Sequence, residues 1–419
     1  MFRRFLLLPP FLLALLIAVP TTANAAQVAR VPASFTFTGS GFGHGVGLSQ
    51  IGAKGQALEG KSAAEILSYY FPSASVTPVL DSQTIRVNIG HEQSNATFSL
   101  VPGFVNETMT ATDDSGTVTS GSTFGFSILG KVITSSAGGS AGLWTLNWNG
   151  AVVMRLGSAT MTLKYGQIQL RSVPLTGHGY RIEITDTMRV QDEYLYGVSE
   201  VRSSWPTEAL KTQVIASRTY ALARLGAPRK ACDCNVYSSI YDQTYIGYAK
   251  EAEPTYGALW KSAVDATVID DSHALAVTFN NQPINVYFFS SSGGMTQRSQ
   301  DVWGSAFPYL INVPDPWSLS DSLNPGYAHW SRTVTQSQMA AAFGLPDVAK
   351  YAISGRTSTG SVVAVVAYSS TGQRSKLSVG DFKTRVKLPS SWFNLPKSVT
   401  VPQPTSPVVD TATETSTAH

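Results

Sequence analysis

Apolar and polar residues alternate in short runs between residues 84 and 190: IRVNI, ATFSLV, LWTLNWNG, VVMRL, MTLKY, IQLR and YRIEIT. Gly, Asn, Asp and Ser clusters separate the runs. A period of two belongs to strands with one buried face, so this region is expected to form a β meander. The period lengthens on both sides of it. Residues 56–71, QALEGKSAAEILSYYF, predict a helix with Ser62 and Glu65 as a capping box. Residues 204–225 carry the clearest helical pattern. Ser204-Trp205-Pro206 opens it, Leu210, Val214, Ala221 and Leu225 follow helical spacing, and Gly226 with Pro228 stops it. Alanine and serine fill much of the remainder, so this helix can approach several neighbours closely and is expected to be buried. Further signals predict a strand at 34–42, a helix at 254–264 and strands at 274–289 and 361–368. No internal repeat is found. The pattern as a whole reads as α+β: a β-rich meander subdomain, and a mixed subdomain built round a buried helix.

The two ends of the chain follow neither period. Arg3 and Arg4 precede an apolar stretch from Phe5 to Val19, and Ala23-Asn24-Ala25 follows. This is the arrangement of a secretory signal peptide over residues 1–25, too short for a comfortable membrane span. No cysteine follows it, so a lipoprotein anchor is not expected. From about residue 398 the chain is a Pro/Thr/Ser tail with no core-forming pattern. Removing Arg3 and Arg4 lowers the formal net charge from +3 to +1. A near-neutral chain has no field for nucleic acid or for a membrane surface. The 43% hydrophobic and 10% aromatic content supports a large core, and 14% charged residues suit a secreted, β-rich protein. The two cysteines, Cys232 and Cys234, are no disulfide framework.

Three stretches carry polar residues that neither a plain core nor a plain loop requires. The first is GFGHGVGLSQ, residues 41–50. A dinucleotide fingerprint needs a third glycine where Val46 stands, and the phosphate-loop lysine is missing, since Gln50 follows Ser49. Alternating glycines permit close backbone approach, which would let His44, Ser49 and Gln50 face a ligand. The competing reading is a tight turn with a hydrogen-bonded histidine. The second stretch runs from Tyr194 to Leu222. Glu200 lies between Val198 and Val201, with Trp205 nearby, and apolar surroundings raise a carboxyl pKa as a general acid requires. Glu208 competes, but it sits in the first helical turn, near Lys211 and Thr212, and reads as structural. The third stretch, 286–317, runs through Ser290-Ser291-Ser292-Gly293-Gly294 to Asp301-Val302-Trp303-Gly304. Hydroxyls beside small residues and a tryptophan suit a sugar-binding cleft. They equally suit a Ser/Gly turn with a core tryptophan.

Together these stretches resemble the family of stage II sporulation protein D and the amidase-enhancer proteins. The resemblance rests on YLYGVSEVRSSWPTEALKTQVIASRTYA, on DQTYIGY at 242–248, on Ser290–Gly304, and on GFGHGVGLSQIGAKGQALEGKSAAEILSYYF at 41–71. In better-known members the GHGxGxSQ segment comes last. Here it comes first, and the chain passes LPSSWFNL where that segment would otherwise begin, which reads as a circular permutation. The resemblance implies a division into a permuted segment and helix at 34–80 that completes a catalytic body at 191–397, with the β-rich subdomain at 81–190, a cleft between the two, and the tail at 398–419.

It also implies a secreted, cell-wall-associated lytic transglycosylase. Such enzymes cleave the N-acetylmuramic acid–N-acetylglucosamine bond of peptide-free peptidoglycan strands and leave 1,6-anhydro ends. Glu200 matches the single catalytic carboxyl. His44, Ser49, Gln50, Tyr194, Trp205, Ser290, Ser291, Ser292 and Trp303 are the expected substrate-binding residues. No cofactor is implied. The partners are glycan strands and a cell-wall amidase, since the alternative within the family is a non-catalytic protein that stimulates such an amidase. Some members bind zinc near the cysteines, but here Cys232 and Cys234 stand one residue apart with no histidine near in sequence. An oxidised pair, free thiols and a metal pair stay open, and the reading leans away from metal.

Overall fold

The computed structural model describes residues 31–395. The expected signal peptide and the Pro/Thr/Ser tail from 398 lie outside the described residues. Within them the α+β class holds, and the alternating region does form strands. They do not lie in one meander but in two packed sheets. The six-stranded sheet has the order Ser140–Ala141, Val132–Ser135, Thr123–Leu129, Asn95–Leu100, Val152–Leu156, Ala159–Leu163. The seven-stranded sheet has the order Val236–Tyr237, Thr84–Gln93, Gly179–Arg189, Gln167–Leu175, Leu143–Asn149, Thr108–Asp113, Val118–Ser120. Most of these strands bury alternate residues, as in Asn95–Leu100 with Ala96 and Phe98 inside. One-faced strands need a second apolar face to cover them, and two sheets supply it to each other. Phe98, Phe124, Phe126, Trp144, Leu170 and Ile184 fill the space between.

That core does not stop at residue 190. Tyr194, Leu195, Val198, Leu210, Val214 and Trp260 belong to the same apolar cluster, so the expected boundary at 190/191 crosses continuous packing. The helical body rests on the sandwich through it. Helix α1 (Gln50–Leu58), helix α2 (Ala63–Tyr70) and helix α3 (Thr207–Leu222) form its centre. The helix predicted over 56–71 is therefore split. Gly60 turns the chain at φ 86° between α1 and α2. The Ser62/Glu65 capping box then starts α2. Helix α1 carries glycines at 52 and 55 and a lysine at 54, so its apolar stripe is too weak to read from sequence. Helix α3 is buried from Thr212 to Ala221. Its Arg218 forms an ion pair with Asp81 at 2.9 Å, both side chains fully buried.

A third core gathers both ends of the folded chain. Strand Ser34–Gly39 pairs antiparallel with Trp330–Thr335. Phe35 and Phe37 pack with Met339, Phe343, Val365, Phe382 and Phe393. Gly39 bridges to Phe393, and Asn394 donates its amide to the Thr38 carbonyl at 2.7 Å. The opening strand thus belongs with the last part of the fold and not with α1 and α2. No helix among the described residues is long and apolar enough to cross a membrane.

Candidate active site

The glycine segment leaves this third core and threads into the body. Its four alternating glycines, Gly41, Gly43, Gly45 and Gly47, all have positive φ, from 81° to 115°. Two of them show why glycine is needed. A Cβ on Gly45 would stand 2.6 Å from the Trp392 ring, and Gly47 passes the Tyr287 carbonyl with no room for one. The run is therefore a packing device against Phe288–Ser292 and Trp392. Leu48–Ser49 pairs in parallel with Phe288–Phe289. Phe42 exchanges backbone hydrogen bonds with Ser291 at 2.8 and 3.2 Å.

His44 turns both ring nitrogens to the backbone. One ring nitrogen, Nε2, donates to the Phe288 carbonyl at 3.1 Å, and Nδ1 accepts the Val46 amide at 3.1 Å. Both nitrogens are thus used by backbone. Burial, followed by the nearby Lys383 charge, lowers its pKa to about 4, against the Phe288 carbonyl, which raises it. The turn-with-histidine reading applies to this residue.

Ser49, Ser291 and Ser292 are likewise interior. Ser49 caps α1, its hydroxyl accepting the Gly52 amide at 3.1 Å, and lies 3.0 Å from the Ser318 hydroxyl. Ser292 and Ser318 both donate to Asp315, at 2.7 and 2.6 Å, and Tyr70 donates to the same carboxylate at 2.9 Å. All five side chains are buried. Ser291 is 1% exposed and its hydroxyl has no partner among the described residues. As contacts for a sugar, Ser49, Ser291 and Ser292 fail on access. Tyr194 fails in the same way: it is fully buried and stacks on Tyr245 with centroids 5.7 Å apart.

What reaches Glu200 is the last residue of the glycine segment. Gln50 Nε2 donates to the Glu200 carbonyl at 3.4 Å and to Gln213 Oε1 of α3 at 3.3 Å. Glu200 itself lies on a short extended run that faces residues 244–246. Ser199 donates to the Thr244 carbonyl at 2.8 Å, and Ile246 donates to Gly197 at 2.9 Å. The Thr244 amide returns to Glu200 Oε1 at 2.5 Å. Burial raises the Glu200 pKa above the ordinary value, and the Thr244 hydrogen bonds oppose part of that rise. Among the described residues, no second carboxylate figures in the forces that shift it. The site therefore offers one half-buried carboxyl that holds its proton more tightly than an exposed glutamate does.

Other expected residues sit nearby to different degrees. Ser290 is half-buried, and its carbonyl accepts the Ile51 amide at 2.9 Å, next to Gln50. Trp205 is half-buried, with the Lys54 ammonium 6.0 Å from its ring. Trp303 is 44% exposed and packs on Tyr287 and His44 at 4.6 and 5.2 Å. Strand alternation sends Tyr287 and Phe289 toward His44, and Phe288 toward Tyr220. Trp303 is thus brought together with His44 and Tyr287. Glu208 pairs with Lys211 at 2.8 Å and accepts the Ala63 amide at 2.8 Å, tying α3 to α2. Thr244 and Gln213 were missed as site residues. Thr244 lies inside DQTYIGY, a stretch whose likeness to the family was visible. Gln213 is one polar residue on a helix, with no pattern to mark it. Cys232 and Cys234 are joined as a disulfide, so of their three open states the structure shows the oxidised pair.

Residues 179–269 match the family described as Stage II sporulation protein. Stage II sporulation protein D of Bacillus subtilis (strain 168) is 30% identical over 197 residues, covering 45% of this chain and 55% of that protein. The amidase enhancer of the same organism is 28% identical over 232 residues, covering 50% of this chain and 30% of that protein. Stage II sporulation protein D of Bacillus amyloliquefaciens is 32% identical over 149 residues, covering 32% of this chain and 40% of that protein. The chain thus spans between 30% and 55% of the length of these relatives. No solved structure matches. The family inferred from the motifs, stage II sporulation protein D with the amidase enhancers, is supported by both kinds of match.

Proposed function

We propose that this chain is a secreted peptidoglycan lytic transglycosylase with Glu200 as its single general acid and base. The observation that carries the reading is the state of Glu200: half-buried, raised in pKa by burial, and gripped by the Thr244 amide. Burial favours the protonated carboxyl, whose proton the glycosidic oxygen takes. As the bond to that oxygen breaks, the muramic-acid 6-hydroxyl attacks the anomeric carbon. The Glu200 carboxylate then takes the hydroxyl proton, and its Thr244 hydrogen bond stabilises the ionised form in between. The product is a 1,6-anhydro ring. Because the nucleophile is the substrate's own hydroxyl, no second carboxylate is needed to activate water or to form a covalent intermediate, unlike hydrolytic schemes. Gln50, held by Gln213, supplies an amide group at the Glu200 backbone. Secretion belongs to this reading through the leader expected over residues 1–25.

A second reading has a specific basis, since one relative is named an amidase enhancer. In it the chain binds cell-wall glycan and stimulates an amidase without cleaving anything itself. Incubation with peptide-free glycan strands followed by mass spectrometry separates the two. Anhydro-muramic ends that appear with the wild type and not with Glu200→Gln support the enzyme. Intact strands with either protein, together with faster release of stem peptides by an added amidase, support the enhancer.

A further inference from the structure

The loop that presents Thr244 to Glu200 is anchored more heavily than a surface turn needs. After Thr244 the core residue Tyr245 holds the loop, but the tip before it is apolar and exposed, Ile240 90% and Tyr241 83%, so hydrophobic contacts do not hold that side. Asp242, two residues before Thr244, does. Its side chain is 3% exposed. Its carboxylate accepts the Tyr237 amide at 2.8 Å, the Tyr220 hydroxyl of α3 at 2.7 Å, and both terminal nitrogens of Arg229 at 2.7 Å each. Arg229 is fixed in turn. Its amide donates to the Cys234 carbonyl at 2.8 Å, its own carbonyl accepts the Cys232 amide at 3.3 Å, and the Cys232–Cys234 bridge closes that turn. Asp233, between the cysteines, binds Arg86 at 2.8 Å and Arg171 at 2.6 Å on the seven-stranded sheet. Contacts thus run without a gap from the sheet through the Cys-Asp-Cys turn to Arg229, Asp242, Thr244 and Glu200.

We propose that Asp242 is a positioning residue for Glu200: clamped by Arg229, it fixes the loop that holds the Thr244 amide against the Glu200 carboxyl. This rests on the reading of Glu200 as the acid and base. Bidentate guanidinium–carboxylate pairs fix direction as well as distance, and direction is what an amide aimed at one carboxyl oxygen requires. Thr244 and Gln50 hydrogen-bond Glu200, Gln213 holds Gln50, and Tyr194 feels the charges of Glu200, Tyr220, Asp242 and Arg224.

The sign of one measurement separates positioning from simple charge. Neutralising Asp242 removes a negative charge, which through the field alone lowers the Glu200 pKa. Loosening the Thr244 amide removes a hydrogen bond to the ionised form, which raises it. Carbon-13 NMR titration of glutamate side-chain carboxyls reads Glu200 directly, its resonance identified by its loss in Glu200→Gln. In Asp242→Asn the Glu200 pKa is expected to rise by about one unit. In Arg229→Lys, which keeps the charge and loses the fork, it rises in the same direction by less. An unchanged or lowered Glu200 pKa in a folded Asp242→Asn protein overturns the proposal. If Asp242→Asn does not fold, Arg229→Lys decides, because that side chain is 41% exposed and its exchange is mild. The titration needs no substrate, so it stands or fails separately from the search for anhydro ends.

Discussion

Two polar clusters meet at the start of α1, and adjacent residues divide them. Ser49 belongs to one, with Ser292, Ser318, Tyr70 and Asp315. Gln50 belongs to the other, with Gln213, Thr244 and Glu200. In the first, three hydroxyls donate to one buried carboxylate at 2.6–2.9 Å, and the network is closed to water. In the second, the Gln50 contacts are 3.3 and 3.4 Å long and the carboxyl is half-buried. A fully satisfied network fixes packing and has nothing left to offer a ligand. A loosely satisfied one can exchange its partners for substrate. Serine, aspartate and glutamine look alike in a sequence, and only the completeness of their partnerships tells the scaffold from the site.

The contrast is broken most sharply at Glu200. Glu200→Gln is expected to cost about 10²–10⁴ in the rate of anhydro-end formation while the fold survives. The pKa of Glu200 is raised in the folded state, so its contribution to stability is complete below the ordinary carboxyl value and is lost as pH rises through the raised one. The glutamine variant should therefore gain thermal midpoint relative to wild type as the pH is increased. A wild-type rate in this variant removes Glu200 from the chemistry.

Asp315→Ala tests the closed cluster. It leaves the Tyr70, Ser292 and Ser318 hydroxyls without their acceptor, and the expected loss is about 3 kcal/mol in denaturant unfolding. A loss below about 1 kcal/mol means the network is not the tie described here.

His44 sharpens the comparison from the side of the glycine segment. Its folded pKa of about 4 lies below the ordinary 6.5, so its neutral form contributes stability that is complete above about pH 6.5 and is lost as pH falls toward 4. The loss amounts to at most about 3 kcal/mol. The stability gap between wild type and His44→Asn should narrow over that interval, and a gap that does not depend on pH contradicts a buried, neutral imidazole. The smallest effect is expected at Gln50→Ala. It should lower the rate about tenfold with less than about 1 kcal/mol of unfolding free energy, the reverse of the Asp315→Ala pattern.

Local patterns reached far into this protein. Period-two alternation marked the strands between 84 and 190, because each has one face against a core. The Ser62/Glu65 box placed the start of α2, because capping is settled by residues within one turn. Small side chains along 207–222 announced a buried helix. Glu200 was legible through its apolar neighbours and its motif. The glycine alternation signalled close backbone approach, and the structure shows what is approached.

What the sequence could not decide were relations between distant residues. Alternation says that a strand has a buried face but not which sheet covers it, so two sheets read as one meander. Serines at 49, 291 and 292 show no sign of lying inside, because their partners, Ser318 for Ser49, Phe42 for Ser291 and Asp315 for Ser292, are far away in the chain. Trp303 reads the same whether it stands by Glu200 or by His44. Thr244 presents its backbone amide to Glu200 Oε1, and every residue but proline has such an amide. The role comes from the loop that aims it, and that loop is held by the Asp242–Arg229 pair across 13 residues of chain. Local chemistry determined which elements form and which carboxyl is desolvated. Tertiary packing alone decided which polar groups are sealed and which stay open, because burial is a property of what closes over a residue and not of the residue itself.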